Sequence, residues 1–144
     1  MENKLYKDFF LTEEAYIKNK RKADGKIKTF KNRYMSNAKW KKLFLTVFQN
    51  GMVLTECEIV DFFGGTYRFI KNSGERTDYS DYIYSDCIDE TLVTGEYAVS
   101  YREIAYLEWK KSNRDGKKIK EILAETGKYE WEETEAYLRI YGYT

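Results

Sequence analysis

Five carboxylates, Asp78, Asp81, Asp86, Asp89 and Glu90, crowd around Tyr79, Tyr82 and Tyr84 in the stretch TDYSDYIYSDCIDE (77–90), which holds no Lys or Arg. Three kinds of chemistry suit such residues. Paired carboxylates can divide acid and base work when held about 5 to 10 Å apart in unequal environments. Clustered oxygens can cage a hard cation. A mixed carboxylate and tyrosine surface can meet a basic protein, because Tyr supplies contact area while the charges pair and steer.

Spacing and composition sort these three. A calcium loop wants D-x-[DN]-x-[DN]-G, which positions 78, 81, 86 and 89 do not give, so no metal is expected. The chain has no histidine, which removes Ser-His-Asp and Cys-His catalysis and imidazole ligation. Carboxylate pairs such as Glu56 and Glu58 are nonspecific and read as solvent-facing strand residues. Cys57 and Cys87, without histidine, cannot build the usual zinc sites; they are buried thiols or a disulfide. The expectation is a non-enzyme without cofactor. Two readings of 77–90 stay open, a solvated loop with its rings turned inward or a docking face for a basic partner.

Charge is split along the chain. Residues 1–42 carry 13 Lys/Arg against 5 Asp/Glu, whereas residues 75–96 carry seven carboxylates against Arg76 alone. Within the basic part, Lys18, Lys20, Arg21, Lys22, Lys26, Lys28, Lys31 and Arg33 could contact phosphates, with Phe30 or Tyr34 to stack on a base. No nucleic-acid motif accompanies them. The plainer readings are a solvated helix end and linker, or a basic segment folded onto the acidic stretch of its own or a neighbouring copy.

The elements that must position these groups follow from periodicity. Thr12 caps a helix opened by Glu13 and Glu14, with Leu11 stapled onto Tyr16 and Gly25 as the stop. Its apolar face is thin, which predicts a peripheral helix or loosely held arm, followed by a basic linker over 26–35. Ser36 or Asn37 caps a second helix whose Trp40, Leu43, Phe44, Val47 and Phe48 form one apolar stripe. Residues 53–63 alternate as a strand, with Val53, Cys57, Ile59 and Phe63 inward. Gly64 and Gly65 read as a two-residue hairpin turn into 66–71. A short strand is expected at 82–85, and strands at 96–101 and 104–109. The last competes with a helix, because Ser100 and Glu103 have capping-box spacing. Asp115 caps a third helix with Ile119, Ile122 and Leu123 inward, and 128–133 and 136–144 close the chain as two strands. Tyr137, Tyr141 and Tyr143 share one face of the last strand and read as sheet packing, with Gly142 as a bulge or close approach.

These patterns predict an α+β fold, a mostly antiparallel sheet of five or six strands with two or three helices packed on it. Residues 1–35 read as a basic N-terminal helix or extension and 36–144 as a single domain. No apolar run approaches the roughly 18 residues that cross a bilayer, and the start lacks a secretory leader, so a cytoplasmic protein without membrane contact is expected.

Two anchors, SNAKWKKLF (36–44) and EWEETEAYLRIYGYT (130–144), together with REIAYLEW (102–109), resemble a family of small uncharacterised bacterial proteins. That family has an N-x-x-K-W-x-x-L-F-like opening helix and an R-I-Y-G-Y-like ending. It is similar to the small α+β proteins that serve as immunity partners to bacterial toxins, and it implies no site residues. The combined expectation is a binding module that neutralises a basic protein partner through Asp78, Tyr79, Asp81, Tyr82, Tyr84, Asp86, Asp89 and Glu90. The alternative is nucleic-acid binding through the basic N-terminal segment.

Overall fold

The computed structural model describes residues 4–50, 57–69, 79–94, 97–110, 116–126 and 128–144. Its helices are α1 (Glu13–Ile27), α2 (Asn37–Gln49) and α3 (Gly116–Thr126). Its strands are β1 (Cys57–Asp61), β2 (Thr66–Arg68), β3 (Cys87–Ile88), β4 (Val99–Ser100), β5 (Ile104–Lys110), β6 (Trp131–Glu133) and β7 (Tyr137–Tyr141). Five strands form one antiparallel sheet in the order β2-β1-β5-β7-β6, and β3 and β4 form a separate antiparallel pair. The fold is α+β with a mostly antiparallel sheet.

The core follows from local pattern. Ser36 Oγ accepts from Lys39 N at 3.2 Å, which starts α2 with Trp40, Leu43, Phe44, Val47 and Phe48 all on its buried face. Ile119, Ile122 and Leu123 of α3 join the same core, with Cys57, Ile59, Leu107, Trp109, Leu138 and Ile140 from one face of the sheet. Residues 104–110 are a strand, and the capping-box alternative survives only as a short 3-10 turn over Tyr101–Glu103. The pairing register shifts between Val60 and Asp61, a bulge that lets Ile104 and Leu107, three apart, both point into the core.

Several local expectations are corrected. α1 runs through Gly25 to Ile27, because Ala23, Ile27 and Phe30 pack with Phe62 and Tyr143. Leu11 makes no staple and is fully exposed; the ring that meets Tyr16 is Phe10, at 5.5 Å. The basic stretch after α1 is tied to the chain's end: Lys31 and Asn32 donate backbone N–H to Thr144 O, Tyr34 N donates to Gly142 O, and Arg33 bridges Tyr143. The first strand ends at Asp61, so Phe62 is the buried ring and Phe63 is exposed. The hairpin connection spans 62–65 rather than two residues, with Gly64 at φ 91 and both Phe63 N and Gly65 N donating to Asp61 Oδ1 at 2.9 and 2.8 Å. At 82–85 Ile83 makes only an isolated bridge to Ile88, and the strand lies at Cys87–Ile88. Val53, Glu56, Asp78 and Asp115 lie outside the described residues.

Candidate functional site

The acidic stretch folds as a lobe. A 3-10 turn over Tyr79–Tyr82 leads into the β3–β4 pair, and a second turn over Glu90–Leu92 follows. Ile83, Ile88, Leu92, Val93 and Val99 root the lobe in the main core. Its carboxylates divide into two kinds.

Asp89 and Asp86 face inward. Asp89 is only 4% exposed; its Oδ2 accepts from Tyr84 OH at 2.7 Å and its Oδ1 from Thr91 N at 2.8 Å, capping the second turn. Burial opposes its charge, but these donors more than offset it and hold the carboxyl below its ordinary pKa. Asp86 Oδ1 accepts from Tyr6 N at 2.9 Å. Tyr84 is itself buried, and its carbonyl accepts from Tyr101 OH at 2.8 Å. Asp81, Tyr82 and Glu90, by contrast, are exposed. Asp89 N donates to Tyr82 O at 2.9 Å, which sets Tyr82 beside the turn that carries Glu90. The eight-residue surface expected from the sequence is thus divided: Asp81, Tyr82 and Glu90 face solvent, Tyr84 and Asp89 are buried struts, and half-buried Asp86 holds the N-terminal segment. Asp78 falls outside the described residues, and Tyr79 is described only by its place in the first turn.

The N-terminal segment lies against the same lobe. Tyr6 and Phe9 pack on a small cluster of Tyr84, Cys87 and Ala98, with Phe9 and Tyr84 ring centres 6.2 Å apart. Lys4 sits over the Phe9 ring at 5.4 Å, and its charge acts on Asp89. The eight cations, Lys18, Lys20, Arg21, Lys22, Lys26, Lys28, Lys31 and Arg33, are all exposed. Their expected aromatic companions are not free to stack on a base. Phe30 stacks on Phe62 and Tyr143 at 5.9 and 5.0 Å, and Tyr34 packs on the core with its hydroxyl on Thr144 Oγ1 at 2.8 Å.

A polar nest around Glu103 was not legible in the sequence. This carboxylate is 8% exposed and sits where α1, the first hairpin and the 3-10 turn before β5 meet. Asn19 Nδ2 donates to its Oε2 at 3.1 Å, and the Tyr6 phenol also hydrogen-bonds it. Burial pushes its pKa up to about 7; the nearby Asp61 charge adds to this, and the Asn19 and Tyr6 hydrogen bonds and Arg102 resist it. Arg102 pairs with Asp24 of α1, and its carbonyl accepts from Tyr143 OH at 2.6 Å. A cavity of about 60 Å³ lies alongside, lined in part by Tyr6, Asn19, Asn37, Asp86, Ser100 and Glu103. That is room for a few waters and far below the roughly 300 Å³ at which ligand pockets begin.

The sheet face turned away from the core carries one more cluster. The Arg139 guanidinium lies 3.9 Å from the Tyr106 ring centre and 4.3 Å from that of Tyr137, with Tyr141 at 5.9 Å. It pairs with Glu108 at 2.8 Å, and Tyr141 OH donates to Glu132 at 2.5 Å. Tyr137 and Tyr141 therefore clamp a cation of their own sheet. Tyr143, expected on their face, turns after Gly142 into the cluster with Phe62 and Ala23.

Cys57 and Cys87 are free, buried thiols, both pushed up in pKa by burial. Among the described residues no group of three or more His, Cys, Asp or Glu could hold a metal ion, and no helix is long and apolar enough to cross a membrane. Comparisons with protein-family models, with curated proteins and with solved structures each return no match.

Proposed function

We propose that this chain is a protein-binding module whose acidic lobe docks a basic partner, in the manner of an inhibitor or immunity protein. The observation that carries the reading is the division of labour inside the lobe. Residues 79–94 include no Lys or Arg, and two of their carboxylates are spent on holding the backbone. Asp81, Tyr82 and Glu90 are thereby displayed on a frame rooted in the core, so little conformational freedom remains to be lost on binding. Their charge steers a cationic partner, and Tyr82 supplies the ring that desolvates the contact. The toxin-immunity form of the reading leans on the resemblance carried by residues 36–44, 102–109 and 130–144.

The test is a double charge reversal, Asp81→Lys with Glu90→Lys, at two exposed positions. A basic protein captured by the wild-type chain from its native cell should bind the variant about tenfold or more weakly, chiefly through slower association. The thermal midpoint should stay within about 1 °C, because surface substitutions cost little. Unchanged affinity would remove the lobe as the docking face.

Nucleic-acid binding through Lys18, Lys20, Arg21, Lys22, Lys26, Lys28, Lys31 and Arg33 is the second reading, favoured by the exposure of all eight. It expects retention on heparin that falls steeply with salt, and flow-through at low salt eliminates it.

A further inference from the structure

We infer that residues 4–10, KLYKDFF, are a resident stand-in for the partner: a basic, aromatic segment that the partner's own segment of like chemistry displaces from the lobe. The inference rests on the docking function proposed above and names what the lobe reads.

The seat is made of groups that recognise chemistry rather than one sequence. Asp86 accepts a backbone N–H, which any residue except proline can offer. The cluster of Tyr84, Cys87 and Ala98 is separate from the main core and takes two rings, Tyr6 and Phe9. Asp89 feels the charge of Lys4. A ligand for this seat therefore combines two aromatic side chains with a lysine or arginine in a short stretch, as residues 4–9 do.

The seated segment is also built to leave. Its 3-10 turn over Tyr6–Phe9 contains no buried residue, and fully exposed Leu11 follows it. α1 is anchored independently, through buried Ala23 in the Phe62 and Tyr143 cluster, the Asn19 bond to Glu103 and the Asp24 pair with Arg102. Two contacts tie the segment toward α1 and its anchors, the Tyr6 phenol on Glu103 and the Phe10 ring against Tyr16 at 5.5 Å. Release of residues 4–10 uncovers Asp86 and Tyr84, the part of the expected surface that the fold hides, and joins it to Asp81, Tyr82 and Glu90.

The experiment uses the full chain and a fluorescent peptide of residues 4–12. In the variant Tyr6→Ser with Phe9→Ser the tethered copy no longer competes. The peptide should bind it about tenfold or more tightly than it binds the wild type, because a competitor seated nine-tenths of the time costs that factor. Adding Asp86→Ala should abolish the gain. Equal binding to wild type and variant, or binding to neither, overturns the inference. Should the variant lose its cooperative melt, hydrogen exchange on the wild type decides instead. Amides of residues 5–10 should exchange well ahead of those in α2 and β5, and exchange together with them overturns the inference. A wild-type dimer that swaps labelled and unlabelled copies would assign the seat to a second copy and overturn the foreign partner. These readouts do not involve Asp81 or Glu90, so a failure here leaves the charge-reversal test of the docking function standing, and the converse also holds.

Discussion

Replacing Glu103 with glutamine should flatten the chain's stability between pH 4.5 and pH 7, and should make the protein more stable above pH 7. In the fold the Glu103 pKa is raised from 4.5 to about 7, first by burial and then by the Asp61 charge. The folded state therefore keeps a proton that the unfolded chain has already released. Stability from this group is complete below about pH 4.5 and is lost as pH rises through 7. At 1.36 kcal/mol per pKa unit the gap amounts to about 3 kcal/mol. Glutamine keeps the oxygen that accepts from Asn19 and carries no charge at any pH, so the penalty disappears. The groups that face the site, Tyr6, Asn19, Asp61 and Arg102, remain in place. Denaturant unfolding at half-unit pH steps reads the difference directly. Parallel profiles for wild type and Glu103→Gln would show that Glu103 titrates as an ordinary surface carboxylate.

What the sequence made legible is what local spacing decides. The stripes Trp40, Leu43, Phe44, Val47, Phe48 and Ile119, Ile122, Leu123 announce helices because 3.6-residue periodicity needs no knowledge of the partner surface. The closing strands were equally readable. Glu103 was not, because the groups that bond and charge its surroundings, Tyr6, Asn19 and Asp61, are each more than 40 residues away in the chain. The only local signal was the Ser100 and Glu103 spacing, which pointed to a cap. The same non-local effect continues α1 past Gly25, where burial of Ala23 and Ile27 outweighs a glycine cost of about 1 kcal/mol. Within the lobe, Asp86 and Asp89 look identical to Asp81 in sequence. Only the arrival of Tyr6 and the inward turn of Tyr84 tell scaffold from surface.

Gly142→Ala should destabilise the fold by about 2 to 3 kcal/mol, as overpacking of a dense interior does. Gly142 donates to Ala105 O at 2.8 Å and accepts from Tyr34 N at 2.9 Å, so one residue pins β5, the chain's end and the stretch after α1 together. A Cβ there would lie 2.3 Å from Ile104 O and 3.3 Å from Trp40 Cζ2. The first is backbone of a central strand, and the second belongs to a ring with 1% exposure, so neither can step aside cheaply. Gly25→Ala supplies the opposite sign. That glycine lies inside α1, is exposed, and has nothing within 4 Å of the added carbon, so alanine should stabilise by about 0.5 to 1 kcal/mol. Thermal melts of the two variants beside the wild type should therefore move in opposite directions. A Gly142→Ala midpoint equal to wild type would mean that the end of β7 does not sit against Ile104 and Trp40. A Gly25→Ala midpoint below wild type would mean that α1 does not continue through position 25.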